Sequence, residues 1–187
     1  MDNSAWTGRR VRLRAIEPED WEAFWHNDDD TEAQRLAWQV PIPRSAQRAQ
    51  QWARDQALID WDTTEQLRLA IEALDGGALV GSIVATRLDR RHGTFQYGIA
   101  VFASERRKGY GSDAIMVLLR YFFEELRFQK VTAYVYDFNE ASLIVHRGLG
   151  FVEEGRMRRA IFTEGTFHDE FVFGMTAEEF AARSAAT

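Results

Sequence analysis

Cysteine is missing from this chain altogether. A disulfide framework, a cysteine nucleophile and a thiolate metal site are therefore excluded, and the composition is compatible with the cytoplasm, where we expect the protein to act. No apolar run approaches the roughly 20 residues of a membrane-spanning helix. The stretch Met1-Asp2-Asn3-Ser4 has no signal-peptide pattern. The histidines His26, His92 and His168 show no metal-ligand spacing, and no metal is expected. The Gly-x-Ser-x-Gly elbow of a serine hydrolase does not occur. Repeats, low-complexity tracts and internal linkers are lacking too. The net charge of −6 disfavours non-specific binding to nucleic acid and mildly favours cationic partners. What is present is 187 residues, 45% hydrophobic and 28% charged. That suits one globular domain, residues 1–187 with a core over about 9–175, able to bury a sizeable interior.

The most informative stretch is Arg106-Arg107-Lys108-Gly109-Tyr110-Gly111-Ser112-Asp113-Ala114. It joins an apolar run that reads as a strand, Phe95 to Phe102, to a helical run, Gly111 to Leu126. Glycines let a backbone approach a ligand closely, and the first-turn N–H groups of a helix have no partner inside it. The positive end of the helix dipole adds to this, so a basic, glycine-bearing turn opening a helix is suited to an anion, and a pyrophosphate is our first inference. A P-loop does not fit, because Lys108 precedes Gly109. The dinucleotide pattern G-x-G-x-x-G/A matches literally at Gly109, Gly111 and Ala114, but six residues separate Phe102 from Gly109 where a Rossmann glycine follows its strand directly. A nicotinamide dehydrogenase is the alternative carried by that match. An ordinary left-handed turn before a helix is the bland one.

Along the chain, Arg9 to Ala15 alternates basic and apolar residues, the period of a half-buried strand. Pro18, Glu19 and Asp20 suit a first helical turn, followed by Trp21, Phe24 and Trp25 on an apolar side. His26 to Asp30 reads as an acidic turn ending that helix. Ser45 is a plausible N-cap for a helix from Ala46 to about Asp60. Three strands follow, Leu67–Leu74, Leu79–Leu88 and Thr94–Phe102, with connections short enough for antiparallel pairing. Gly81 suggests a bulge or a close backbone approach. After the helix, Val131–Tyr136 is a strand and Asn139 opens a short helix ending near Gly148. A strand through Glu154 and Gly155 and another over Thr166–Met175 come next. Thr176 and Glu179 form a capping box for a last helix. The order is βααβββαβαββ, a mixed α/β sheet in which two βα steps can form a parallel pair.

This order and four stretches resemble the GNAT superfamily of N-acetyltransferases, nearest its RimJ/RimL-like branch. The stretches are Arg12 to Asp20, Tyr97-Gly98-Ile99-Ala100 leading into Arg106 to Ala114, Asn139 to Ser142 with Leu149-Gly150-Phe151, and Val152 to Arg156. The resemblance spans about Val11 to Met175. It implies a mostly antiparallel six- to seven-stranded sheet, a central parallel strand pair that splays apart, and helices on both faces. It also implies acetyl-CoA as co-substrate and a primary amine, on a protein N-terminus or a small molecule, as acceptor. Dimerisation is common in that branch.

By the same resemblance, pantetheine enters between the strands Tyr97–Phe102 and Val131–Tyr136. A backbone N–H within Ile99, Ala100 and Val101 polarises the acetyl carbonyl, and Arg106, Arg107, Lys108, Gly109, Tyr110, Gly111 and Ser112 cradle the pyrophosphate. Asn139 contacts CoA, and Ser142 has been linked to the leaving thiolate. The residues themselves also allow Asn139 and Ser142 to be nothing more than a helix cap. The position where many relatives carry an acidic tyrosine is His146 here. A histidine, with a reference pKa of about 6.5, could donate; alternatively His146 only packs, and solvent or Ser142 protonates the sulfur. An α-amine with a pKa of about 8 is partly neutral near pH 7, whereas a lysine-like amine at about 10.4 needs a base. Asp137 is the first candidate, with Glu32 and Asp28 to Asp30 as others, although an acidic run is commonly a solvated turn. The departure at His146 keeps a second class open, a non-catalytic acyl-CoA sensor.

Overall fold

Strand β4 (Thr94–Val101) and strand β5 (Lys130–Tyr136) pair in parallel at only three positions, Thr94 with Lys130, Phe95 with Val131 and Gln96 with Thr132. Beyond Gln96 the two strands part, and each keeps a ladder on its outer side alone. The computed structural model describes residues 4–37, 39–60 and 63–184. Around this opening runs a seven-stranded sheet. The other strands are β1 (Val11–Arg14), β2 (Leu67–Ala73), β3 (Leu79–Asp89), β6 (Val152–Thr163) and β7 (Thr166–Thr176), in the order β1-β2-β3-β4-β5-β7-β6. All neighbours except β4 and β5 are antiparallel, and short turns join β2 to β3, β3 to β4 and β6 to β7.

Helices cover both faces. On one, α4 (Tyr110–Arg120) and the π-helical turn that continues it, Tyr121–Glu125, bury Ile115, Leu118, Leu119 and Phe122 against Leu13, Ile71, Ile83 and Phe95. Phe95 stacks on Phe122 with ring centroids 4.1 Å apart. Burying one such side chain is worth about 1.5–3 kcal/mol. On the other face α1 (Trp21–Asp28), α2 (Thr31–Ala37) and α3 (Ala46–Ala57) enclose a smaller cluster of Ile16, Phe24 and Ala70, with Trp52 and Phe102 against it. Helix α5 (Glu140–Gly148) follows β5, and α6 (Ala177–Ser184) closes the described chain.

Local signals act as their chemistry dictates. Ser45 Oγ accepts from Arg48 N at 3.3 Å. Thr176 and Glu179 form a reciprocal box, with Glu179 Oε2 accepting from Thr176 N at 2.8 Å. Gly81 sits where the β2–β3 register shifts, and a Cβ there would fall 2.2 Å from the Ala100 carbonyl oxygen, so the residue allows both the bulge and the close approach.

Two segments depart from the sequence reading. The acidic run does not simply end α1; Asp30 Oδ1 accepts from Ala33 N at 2.9 Å and starts the additional helix α2. Strand β6 does not stop near Gly155 but runs to Thr163 at the sheet edge, where exposed polar residues are mixed with exposed Val152, Met157 and Phe162 and no apolar alternation marks the strand.

Candidate active site

The turn before α4 is shaped by two left-handed residues, Arg107 at φ 61° and Gly109 at φ 82°. Such a bend turns successive N–H groups to one side and forms an anion-binding concavity. A left-handed arginine costs about 1–2 kcal/mol, so the fold maintains this shape against a local penalty. Among the described residues, none accepts a hydrogen bond from the N–H groups of Arg107 through Ser112. The first N–H of the helix with a partner is Asp113, donating to Gly109 O at 3.2 Å. The Asp113 carboxylate is itself gripped by three N–H groups at the entry to the first strand, from Arg9, Arg10 and Val11 at 3.1, 2.7 and 3.0 Å. It ties the mouth of α4 to β1, and Gly8 is needed because a Cβ there would lie 2.4 Å from that carboxylate. Arg10 reaches across to the Lys108 carbonyl at 3.3 Å, and Lys108 Nζ pairs with Glu105 at 2.9 Å.

Gly111 has no structural need to be glycine. A Cβ there would meet nothing closer than 3.6 Å, an ordinary contact with Val101, and its φ is not positive. Glycine inside a helix costs roughly 0.5–1 kcal/mol relative to alanine.

The gap between β4 and β5 opens into a cleft of about 540 Å³, lined by residues of the sheet, of α1 to α3 and of α5. Ile99 and Ala100 line it from β4, Val135 from β5, and Asn139, Ser142 and His146 from α5. His146 is 3% exposed. Its Nδ1 lies 2.8 Å from the Ser142 carbonyl oxygen, which can only accept, so Nδ1 carries the proton. Nε2 then accepts from the Tyr97 hydroxyl at 2.7 Å. Burial lowers the His146 pKa, against a smaller opposing effect of the Ser142 carbonyl, and burial raises that of Tyr97 well above its ordinary value. The ring is therefore neutral near pH 7, and Nε2 has no proton to give. Nδ1 also lies 3.3 Å from Ser142 Oγ. A hydroxyl that accepts from the imidazole keeps its own proton free for another acceptor in the cleft.

The far side of the cleft lies beneath α1 to α3. Phe24 and Trp52 give it aromatic walls, while Arg44, Arg68 and Glu170 bring charge. Arg44 Nε donates to Asp28 Oδ2 at 2.8 Å, so that carboxylate is already matched. Glu170, on β7 opposite Tyr136 of β5, has no ion-pair partner among the described residues. Burial holds Glu170 above the usual glutamate range, and burial together with the Glu170 charge pushes the Tyr136 phenol up to about 12. Sequence reading did not find Glu170. Its available signal was a carboxylate placed among the apolar residues of a strand, Glu170 before Phe171, Val172 and Phe173.

The residues expected from sequence divide clearly. Ile99, Ala100, Asn139, Ser142 and His146 share the cleft, and Arg106 to Ser112 form the turn. Val101 continues β4 at the same edge and receives Arg106 Nε on its carbonyl at 3.4 Å. Asn139 caps α5, accepting from Ser142 N at 3.1 Å, and its amide donates to Leu36 O at 3.0 Å, joining α2 to α5. Asp137 lies outside the cleft lining; one oxygen accepts from Asp169 N at 3.1 Å and the other faces His168 Nδ1 at 3.2 Å. Glu32 is exposed on α2 and does not line the cleft either.

Residues 10–152 match the family model described as an acetyltransferase (GNAT) domain, a span that holds the turn, the splayed pair and α5. The chain belongs to the GNAT acetyltransferase family. Among curated relatives, this acetyltransferase is 42% identical over 175 residues to the SPbeta prophage-derived uncharacterized N-acetyltransferase YokL of Bacillus subtilis, covering 94% of each chain. It is 28% identical over 169 residues to the uncharacterized N-acetyltransferase YoaA of the same organism, covering 89% of this chain and 93% of that one. Its fold is shared with a spermidine N-acetyltransferase from Vibrio cholerae solved in complex with CoA and spermine, at a TM-score of 0.80 and 19% identity, over 91% of this chain and 98% of that one. The acyl donor of the family is acetyl-CoA, and the concave turn, its unpartnered N–H groups and the adjoining strand gap fit that molecule.

Proposed function

We propose that this acetyltransferase moves an acetyl group from acetyl-CoA to a primary amine, on a protein N-terminus or a small molecule, by direct attack within a ternary complex. The supporting observation is the cleft at the parting strands, lined by Ile99 and Ala100 of the strand that leads to the turn and by the half-buried Glu170 of β7. Acetyl-CoA supplies the acyl group as a thioester. The N–H groups from Arg107 to Ser112 would hold its pyrophosphate, with Arg106, Arg107 and Lys108 adding charge. The unladdered stretch of β4 offers amide groups to the pantetheine arm, and a backbone N–H within Ile99 to Val101 would donate to the carbonyl oxygen as negative charge develops there.

Glu170 is the general base of this reading. It sits on the acceptor side of the gap, and a carboxylate with a raised pKa is better matched to an ammonium proton. Asp137 fixes the start of the loop before α5 through Asp169 and His168. Ser142 Oγ passes its proton to the departing sulfur while taking one from water in the cleft, with His146 holding it from Nδ1 and Asn139 placing the first turn of α5. We further propose that the chain belongs with the RimJ/RimL-like branch and acts in the cytoplasm. A second copy would dock on the aromatic end of the β6–β7 hairpin, where Phe162 and Phe167 are 62% and 48% exposed.

The test is thiol release from acetyl-CoA in the presence of an amine panel that includes N-terminal peptides, with acetyl-CoA binding followed by calorimetry. Amine-dependent release supports the reading. Tight binding without release for any amine would make the chain a sensor of acyl-CoA instead.

A further inference from the structure

Two guanidinium groups face the cleft from the side where the amine must arrive. Arg44 is matched by Asp28. Arg68 is not matched. It projects from β2, lines the cleft, and donates through Nη1 to Ser82 Oγ at 3.3 Å. Among the described residues no carboxylate lies within ion-pair distance of it. A guanidinium carries five N–H donors and cannot shed its charge in a protein. Arg68 is half-buried, with one neutral hydroxyl as partner and a second cation close enough to act on it; burial and the Arg44 charge both lower its pKa. Placing such a group in a wall without a counter-ion costs stability. Nothing in the strand requires it, since its neighbour across the ladder is Val84. An anion that arrives with the substrate supplies what the fold withholds, and a planar fork of donors suits carboxylate or phosphate oxygens.

The same arrangement is hostile to a polycation. Of the carboxylates on the acceptor side, Asp28 is spent on Arg44, and Glu170 is needed at the amine. The overall charge of −6 is therefore a poor guide to this cleft. Strand β2 is two strands from β4, roughly 10 Å across the sheet, and an extended arginine covers much of that span. The anion and the attacking amine are then a few bonds apart.

Building on the acetyltransferase reading, we propose that the amine substrate carries an oxyanion, a carboxylate or phosphate close to the amine as in amino acids, short peptides or aminoalkyl phosphates, and that Arg68 binds it. Arg68 is thus a specificity-determining residue, and polyamines are poor acceptors.

Matched acceptors test this: L-phenylalanine against L-phenylalaninamide, and O-phosphoethanolamine against ethanolamine, with spermidine alongside. For each, kcat/KM is measured by thiol release on the wild type, R68Q and R68K. The oxyanion member of at least one pair is expected to lead by about 10-fold or more, the scale of a hydrogen-bonded charge. Which pair leads identifies the oxyanion. R68Q collapses that ratio through KM, and R68K keeps part of it. Equal rates within both pairs, spermidine outrunning every anionic amine, or R68Q lowering both members alike would overturn the proposal. Calorimetry separates the two layers. Failure to bind acetyl-CoA removes the acetyltransferase reading and this proposal together, whereas binding and turnover without anion preference removes the Arg68 assignment alone. Should acetyl-CoA bind without turnover, titration of L-phenylalanine and O-phosphoethanolamine into the CoA-bound protein still decides: binding that R68Q weakens supports Arg68, and no binding of either overturns it.

Discussion

Tyr97 and His146 form a closed pair beneath the cleft, the phenol donating to Nε2 across 2.7 Å while the opposite ring nitrogen is held by the Ser142 carbonyl. The pair makes the imidazole a structural acceptor in its neutral form. Protonation would force the Tyr97 hydroxyl to turn its proton away and accept instead, and would bury a charge.

The consequence for stability has a definite sign. Unfolded, the histidine titrates near 6.5; folded, burial holds it lower. The unfolded state takes up the proton first on acidification. The contribution of His146 is therefore complete above about pH 6.5, is lost as pH falls toward and through the folded pKa, and levels off below it. Within that window the slope is at most about 1.4 kcal/mol per pH unit. Urea unfolding of wild type and H146F at pH 5, 6, 7 and 8 should show the difference between them shrinking toward acid pH. A constant difference would contradict the neutral assignment. The pH dependence of kcat should keep its shape in H146F, because Nε2 has no proton to lose.

Ser142→Ala isolates the hydroxyl from the cap. The Asn139 bond goes to the backbone N–H of residue 142 and survives the change. The imidazole keeps its 2.8 Å bond to the backbone carbonyl. The expected result is a melting temperature close to wild type with kcat reduced by roughly 10²-fold, the low end for a general acid, since a thiol of pKa about 8.5 is already a fair leaving group. Stopped-flow thiol release measures it. An unchanged kcat would hand the sulfur proton to solvent.

How much of this was legible in the sequence depends on whether the signal was local. The turn could be read because Gly109 and Gly111 with three neighbouring basic residues announce their conformation and charge directly. The β2–β3–β4 meander was legible from its alternation and turns, and Ser45 and Thr176 from capping chemistry. Helix α2 was not, because an N-cap aspartate looks like any member of an acidic run. Glu170 and Arg68 escaped for a different reason. They lie on strands about a hundred residues apart and become a site only through the order β2-β3-β4-β5-β7, which inserts β7 ahead of β6. The role of His146 turned on burial and on Tyr97, 49 positions away. Asp137 was well placed along the chain, but the Asp169 N–H and His168 claimed its oxygens.

Gly111→Ala separates ligand demand from folding demand. The added methyl meets Val101 and Ile99 at 3.6 and 3.9 Å, so the helix accepts it. Replacing a helical glycine should raise stability by up to about 1 kcal/mol, or about 2–4 °C in Tm for a chain of this size. The same methyl stands where the pyrophosphate would approach, and acetyl-CoA affinity should fall at least 10-fold by calorimetry. Gly109→Ala behaves differently. With φ at 82° and Arg10 at 3.2 Å from the new Cβ, it should lower Tm as well as affinity. If G111A bound acetyl-CoA as tightly as wild type, the diphosphate would lie elsewhere.

Glu170→Gln tests the base. The amide keeps the shape of the side chain and its place opposite Tyr136, so folding should change little. Proton removal from the amine is lost, and general bases of this kind contribute about 10²–10⁴-fold. The lower end is expected for an α-amine, a fraction of which is already neutral near pH 7. Raising the pH should rescue the variant as the amine loses its proton to water, so wild type and E170Q converge toward pH 9. In the wild type, the acidic limb of kcat against pH should bend above the ordinary glutamate value of about 4.3, because burial raises the Glu170 pKa. Removing the carboxylate also relieves the pressure on Tyr136, whose phenol should titrate below its wild-type value, a change visible by ultraviolet difference spectroscopy. A Tyr136 shift with undiminished kcat at pH 7 would keep Glu170 as a neighbour in the wall and remove it from the chemistry.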